Sequence, residues 1–159
     1  MEETIKLIKK AIAAEVTASA FYSLASEVTK HDDTRMVFIE LSSMEDDHAQ
    51  DLVNKFKNAF PTKEFDSQAY LDELIKKDEG VDIERSNLVK TGSMKEVLEF
   101  AISMENSAKE TYEKLADEVI DPTFKQYCID LAQEEIEHAK TLTNTLDSLD
   151  MDMESRPGL

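Results

Sequence analysis

The chain has no tryptophan, a single cysteine, and only three glycines and three prolines in 159 residues. One cysteine, Cys128, excludes an internal disulfide and any Cys-x-x-Cys zinc or rubredoxin-like iron centre. Set among Phe124, Leu131 and Leu142, it is expected to be a small buried hydrophobe rather than a nucleophile. The shortage of Gly and Pro leaves few sites for turns and breaks, which suits long helices. Basic residues are scarce as well: 18 Lys and Arg stand against 35 Asp and Glu, a net charge of −17. Like charge repels phosphate, so neither nucleic acid nor an anionic membrane is an expected partner. No long apolar run occurs, so neither a signal peptide nor a membrane span is expected, and the cytoplasm is the expected compartment. What remains is still 41% hydrophobic, enough at this length for one domain with a real core.

Four stretches carry a helical period. The first, about Glu3 to Thr29, places Ile5, Ile8, Ile12, Ser19 and Tyr22 on one stripe. The second, capped by Asp32 or Asp33 and running toward Lys57, aligns Val37, Leu41, Leu52 and Phe56. Ser93 opens the third with Glu96 three residues on, a capping box, and Val97, Ala101, Ala108, Tyr112 and Leu115 form its stripe. Asp121 followed by Pro122 starts the fourth, which carries Phe124, Cys128, Leu131, Leu142 and Leu149. Short joints at 30–33 and 120–122 make two antiparallel hairpins. The connection between them, about Asn58 to Gly92, holds a short amphipathic helix from Ser67 to Lys77 that ends at Gly80. Two hairpins and a long crossover make an all-α, ferritin-like four-helix bundle over residues 1–149. Residues 150–159 are expected to be a loose acidic tail.

Set into the four stripes is a duplicated polar pattern. Glu15 is followed 30 residues later by Glu45 with His48, and Glu105 is followed 30 later by Glu135 with His138 (45 − 15, 135 − 105). Displacing the chain by 90 superposes both sets without a gap. It also superposes Ala11-Ile12 on Ala101-Ile102, Ala18 on Ala108, Tyr22 on Tyr112, Leu41 on Leu131 and Leu52 on Leu142.

Each of these Glu and His residues takes a position where packing alone would want Leu. A lone core Glu or His is ordinarily satisfied by hydrogen bonds, but four carboxylates in one layer are not. Desolvation costs several kcal/mol per ion before mutual repulsion is counted, and two divalent cations offset four carboxylates. A Glu and a His three apart share a helical face and reach one point. The expected arrangement puts one lone Glu and one His on each metal, with Glu45 and Glu135 bridging. The nitrogen and oxygen set suits iron; manganese or zinc are alternatives.

The pattern resembles the rubrerythrin-like branch of the ferritin-like superfamily. The signatures are Leu131-Ala132-Gln133-Glu134-Glu135-Ile136-Glu137-His138-Ala139 and Glu15-x-x-Ala18-x-x-x-Tyr22, repeated as Glu105-x-x-Ala108-x-x-x-Tyr112. The resemblance implies two iron ions per chain, held by Glu15, Glu45, His48, Glu105, Glu135 and His138. Tyr22 and Tyr112 are either aromatic core or hydroxyl donors to a metal-binding Glu on a neighbouring helix. It further implies reduction of peroxide or O2 with electrons from a separate donor, a rubredoxin-like protein or small reductant, and a homodimer is the expected assembly. Two departures stand out. Rubrerythrins carry an extra Glu where this chain has Ala108, a residue tied to iron movement during peroxide reduction, and their Cys-rich electron-entry domain has no counterpart here. The alternatives are an iron-oxidising storage protein or a di-iron oxygenase acting on an organic substrate.

Overall fold

The structure, a computed structural model, describes residues 1–77 and 83–154, with side chains described up to residue 149. Its elements, in order, are α1 (Glu2–Val28), α2 (Asp32–Ala59), α3 (Ser67–Lys77), α4 (Ile83–Thr91), α5 (Met94–Glu118) and α6 (Pro122–Glu154). The described residues form helices and connections and contain no strand. The hairpins α1–α2 and α5–α6 make the most extensive contacts, and α1 joins them by packing on α5. This is the ferritin-like bundle expected from the duplicated pattern.

Local chemistry sets the helix ends. At α5 the Ser93 hydroxyl accepts from the Glu96 N–H at 3.1 Å, and the Glu96 carboxylate accepts from the Ser93 N–H at 3.2 Å, completing the capping box. Asp121 caps α6 by accepting from the Phe124 N–H at 2.8 Å. The cap of α2 differs from expectation. His31 holds the N-cap position without a side-chain bond, and Asp32 and Asp33 lie inside the first turn, where their charge favours the helix dipole. Arg35 accounts for the shift: it pairs with Asp32 at 3.0 Å and donates to the Thr29 carbonyl at 2.9 Å, closing the joint. Gly92 makes the tight turn from α4 to α5, since a Cβ there would meet the Leu88 carbonyl at 2.5 Å.

The core is divided in two along the bundle. One cluster gathers Ile8, Ile12, Leu52, Phe56, Leu115, Phe124 and Cys128; the other gathers Phe21, Tyr22, Phe38, Leu98, Ala101 and Leu142. Between them lies a layer of buried Glu residues, one from each long helix. Ile5, Val37, Ala108 and Leu149, expected on the core stripes, are only partly buried and pack at the cluster edges.

The crossover covers the α1 side of the bundle. Helix α3 packs on α1 and α2 through buried Leu71, and α4 packs on α1 through buried Val89. Helix α4 was not legible as a helix. Its nine residues mix polar and β-branched types, Val89 alone is buried, and docking on α1 rather than intrinsic amphipathicity holds it. Gly80, the expected end of α3, lies outside the described residues, as do residues 155–159; α6 itself continues past Asp150 to Glu154. No helix among the described residues is long and apolar enough to cross a membrane.

Candidate metal centre

The four long helices bring all six sequence-selected residues into one layer. Glu15, Glu45, His48 and Glu135 form one group, and Glu45, Glu105, Glu135 and His138 form another. Within each group the potential ligand atoms lie within 4.8 Å of one another. Glu45 and Glu135 belong to both groups, so two cation positions would share them. The structure also settles a pairing that the spacing left open. His48 falls with Glu15 and His138 with Glu105.

The four carboxylates are at most 2% exposed and His138 is 7% exposed. His48 presents Nδ1 to the centre, 3.1 Å from Glu135 Oε1 and 3.6 Å from Glu15 Oε2. His138 mirrors it, with Nδ1 2.9 Å from Glu45 Oε1 and 3.6 Å from Glu105 Oε2. The two rings are nearly parallel, 5.6 Å between centroids.

The tyrosines cross between the halves. Tyr22 on α1 donates to Glu105 Oε1 at 2.6 Å, and Tyr112 on α5 donates to Glu15 Oε1 at 2.5 Å. Each outer carboxylate therefore has one oxygen held by a phenol and one left over. Those left-over atoms, Glu15 Oε2 and Glu105 Oε2, are buried without a hydrogen-bond partner. So are Glu45 Oε1, both Glu135 oxygens, and Nδ1 of each histidine. Buried polar atoms are rarely left unsatisfied, and the unsatisfied ones in this layer are carboxylate oxygens and imidazole nitrogens that face a common centre. The donor set fits a pair of divalent cations.

Protons gather in this layer when only protein groups are considered. Burial pushes Glu45 well above the usual carboxylate range, with the Glu15 charge adding to it. Burial and the charge of Glu15 likewise push Glu135 up to about 8. Burial alone would lower the imidazoles, but Glu135 and Glu15 outweigh it and hold His48 up at about 11. Glu105 and Glu135 do the same for His138, at about 10. Glu105 moves the other way: burial would raise it, yet the neighbouring Glu135 and His138 side chains take it below its ordinary value. Burial and the neighbouring glutamates raise both Tyr22 and Tyr112, which therefore stay protonated donors.

Access differs between the two sides. Between α2 and α6 runs a groove of about 950 Å³ that reaches His48 and His138 and is walled by Glu40, Asp47, Asp51, Asp130, Glu134 and Glu137, with Lys55 for contrast. Met44 lies on this wall and Met104 on the opposite side, beside a smaller cavity of about 250 Å³. Ala13, Ala14, Thr17, Ala18 and Ala108 line that cavity against Glu45, Glu105 and Glu135. One residue that sequence reasoning missed is Glu134, whose Oε2 lies 2.6 Å from His48 Nε2. Its side chain is 55% exposed, so it read as one more surface acid. The only available signal was its place beside Glu135. Cys128 is fully buried and its thiol is pushed up to about 12 by burial, as expected for an inert filler.

Among known families, residues 6–146 match the family model described as Rubrerythrin. No curated protein and no solved structure matches the chain.

Two expectations follow for protein stripped with a chelator. Glu135, about 8 when folded against 4.5 unfolded, and the histidines, about 10 and 11 against 6.5, hold more protons folded than unfolded. Their stabilisation is full below the unfolded values and is lost as pH rises from those values through the folded ones. A thermal melt should move down between about pH 6 and pH 9, and added divalent metal should recover more at the higher pH because it displaces those protons. A melting temperature that rises over this range would contradict the assignment. Second, Tyr22→Phe and Tyr112→Phe each strip a donor from a buried carboxylate, a loss of about 1.5–3 kcal/mol. Each should lower the melting temperature and weaken metal binding; unchanged binding in both would show the phenols to be packing alone.

Proposed function

The chain belongs to the rubrerythrin family, and from that membership we propose that it is a cytoplasmic di-iron oxidoreductase that reduces peroxide or O2. The observation that carries the reading is the overlap of the two carboxylate–histidine groups at Glu45 and Glu135. Glu15 and His48 would hold one iron and Glu105 and His138 the other, with Glu45 and Glu135 within reach of both. Two iron(II) ions held there would supply the two electrons that, with two protons, reduce hydrogen peroxide to two waters. Manganese or zinc fits the same atoms, so the redox chemistry rather than the ligand set favours iron.

The protein's own part is positioning and access. By occupying Oε1 of Glu105 and Glu15, Tyr22 and Tyr112 fix which oxygen turns inward. The groove between α2 and α6 admits a small polar oxidant and protons to the histidine side, while α3 and α4 cover the α1 side. Cys128 is too deeply buried and too weakly acidic to act as a peroxidatic thiol. In this reading electrons come from a separate donor, a rubredoxin-like protein or a small reductant. Met36 and Ile39, both exposed on α2, offer apolar surface for a homodimer.

Ala108 bears on the reaction. At the place where rubrerythrins carry an additional Glu, this chain leaves a cavity against Glu105 and Glu135, so no carboxylate there can draw an ion out of position. A fixed ligand set and an acidic groove favour one second reading, oxidation of iron(II) delivered through that groove. Reduced, iron-loaded protein mixed separately with peroxide and with O2 decides between them through the return of ferric absorbance. Faster return with peroxide is expected; an equal or faster return with O2 would contradict peroxide reduction and leave the iron-oxidation reading.

A further inference from the structure

The duplication that places the six residues also shows where the halves differ, and one difference lies directly behind the centre. Glu134 reaches across the groove from α6 to α2, its Oε2 2.6 Å from His48 Nε2. His48 thus has carboxylates beside both nitrogens, with Nδ1 facing Glu135 and Glu15. Ninety positions earlier, where the repeat would place the same carboxylate for His138, the chain has Met44 (134 − 90). Met44 lines the same groove, but a thioether is only a weak acceptor. Among the described residues, every carboxylate contact of His138 runs through Nδ1: Glu45 at 2.9 Å, Glu105 at 3.6 Å and Glu135 at 3.8 Å. The two histidines are alike toward the centre and unlike behind it.

Resting on the two-metal reading above, we infer that Glu134 is a positioning residue that makes the two metal positions unequal. The position at Glu15 and His48 takes a divalent cation first and holds it more tightly than the position at Glu105 and His138. The reason lies in the imidazole. A neutral ring carries one N–H, and only the other nitrogen can bind a cation. A carboxylate charge placed this close to Nε2 favours the proton on that nitrogen, leaves the Nδ1 lone pair turned inward, and makes Nδ1 more basic. His138 has no such carboxylate, so when an incoming cation displaces one of its two ring protons the other is free to stay on Nδ1, and the fraction that does cannot bind. A plain ion pair tying α6 to α2 is the competing explanation. It would affect the stability of the fold but not the difference between the two affinities.

Chelator-stripped protein titrated with cobalt(II) near neutral pH, followed by visible absorbance, separates the two. The unaltered chain should bind two cobalt ions in two resolved steps. Glu134→Gln should weaken the first step about 10- to 100-fold, the usual effect of losing such a partner, and merge it with the second. Met44→Glu should tighten the second step. Two equal steps in the unaltered chain would overturn the inference, and so would Glu134→Gln that weakens both steps alike or neither. Because Glu134 is half exposed, Glu134→Gln should fold, which a melt of the stripped variant checks; it decides the matter even if Met44→Glu does not fold. Failure of the unaltered chain to bind any cobalt is a different result, and overturns the two-metal reading itself.

Discussion

Four carboxylates packed into one layer of an apolar core set the terms for everything else in this protein. Each costs several kcal/mol to desolvate, and together they repel. The bundle answers with groups aimed at the same small volume: two histidines, two phenols, and room for cations between them. The layer also explains why the hydrophobic core is two clusters rather than one. Each cluster closes one end of the layer, keeping bulk water away from charges that gain strength in a low dielectric. The long helices follow from the same need, since each must supply both core halves and the polar position between them.

The duplicated sequence makes the centre nearly symmetric, and the departures from symmetry carry the specific chemistry. Glu134 and Met44 occupy equivalent positions with opposite properties behind His48 and His138. The crossover breaks the symmetry of the bundle as a whole. By laying α3 and α4 over the α1 side, it leaves the groove between α2 and α6 as the larger approach, one that opens on the histidines rather than on the carboxylates. An approach lined with acids concentrates cations, and a neutral molecule such as peroxide enters it without penalty.

Much of this was legible in the sequence because charge in a core is conspicuous. Glu15, Glu45, Glu105 and Glu135 stood out as polar residues on apolar stripes, and the structure buries all of them together. The capping box at Ser93 and the cap at Asp121 were legible because a few neighbouring residues complete each motif. Less local features were not. Helix α4 depends on its docking surface, so its own residues carry little periodic signal. His31 became the cap of α2 because Arg35 engages Asp32, a side-chain choice that propensity does not report. Glu134 was hidden by its exposure: its role depends on the distance between two helices, which spacing along one helix cannot give. The crossed partnering of Tyr22 with Glu105 and Tyr112 with Glu15 lay between these cases. The stripe put the rings in the core, and only the packing of α1 on α5 decided which carboxylate each one meets.

Metal content is the most direct measure of whether the buried layer exists to hold two cations. It should be determined on protein purified from iron-replete cells, beside a variant carrying Glu45→Gln and Glu135→Gln. About two metal ions per chain, lost in the variant along with the stability that metal confers, is the expected result. A chain that holds no metal, and whose stability is unchanged by those substitutions, would contradict the account at its centre.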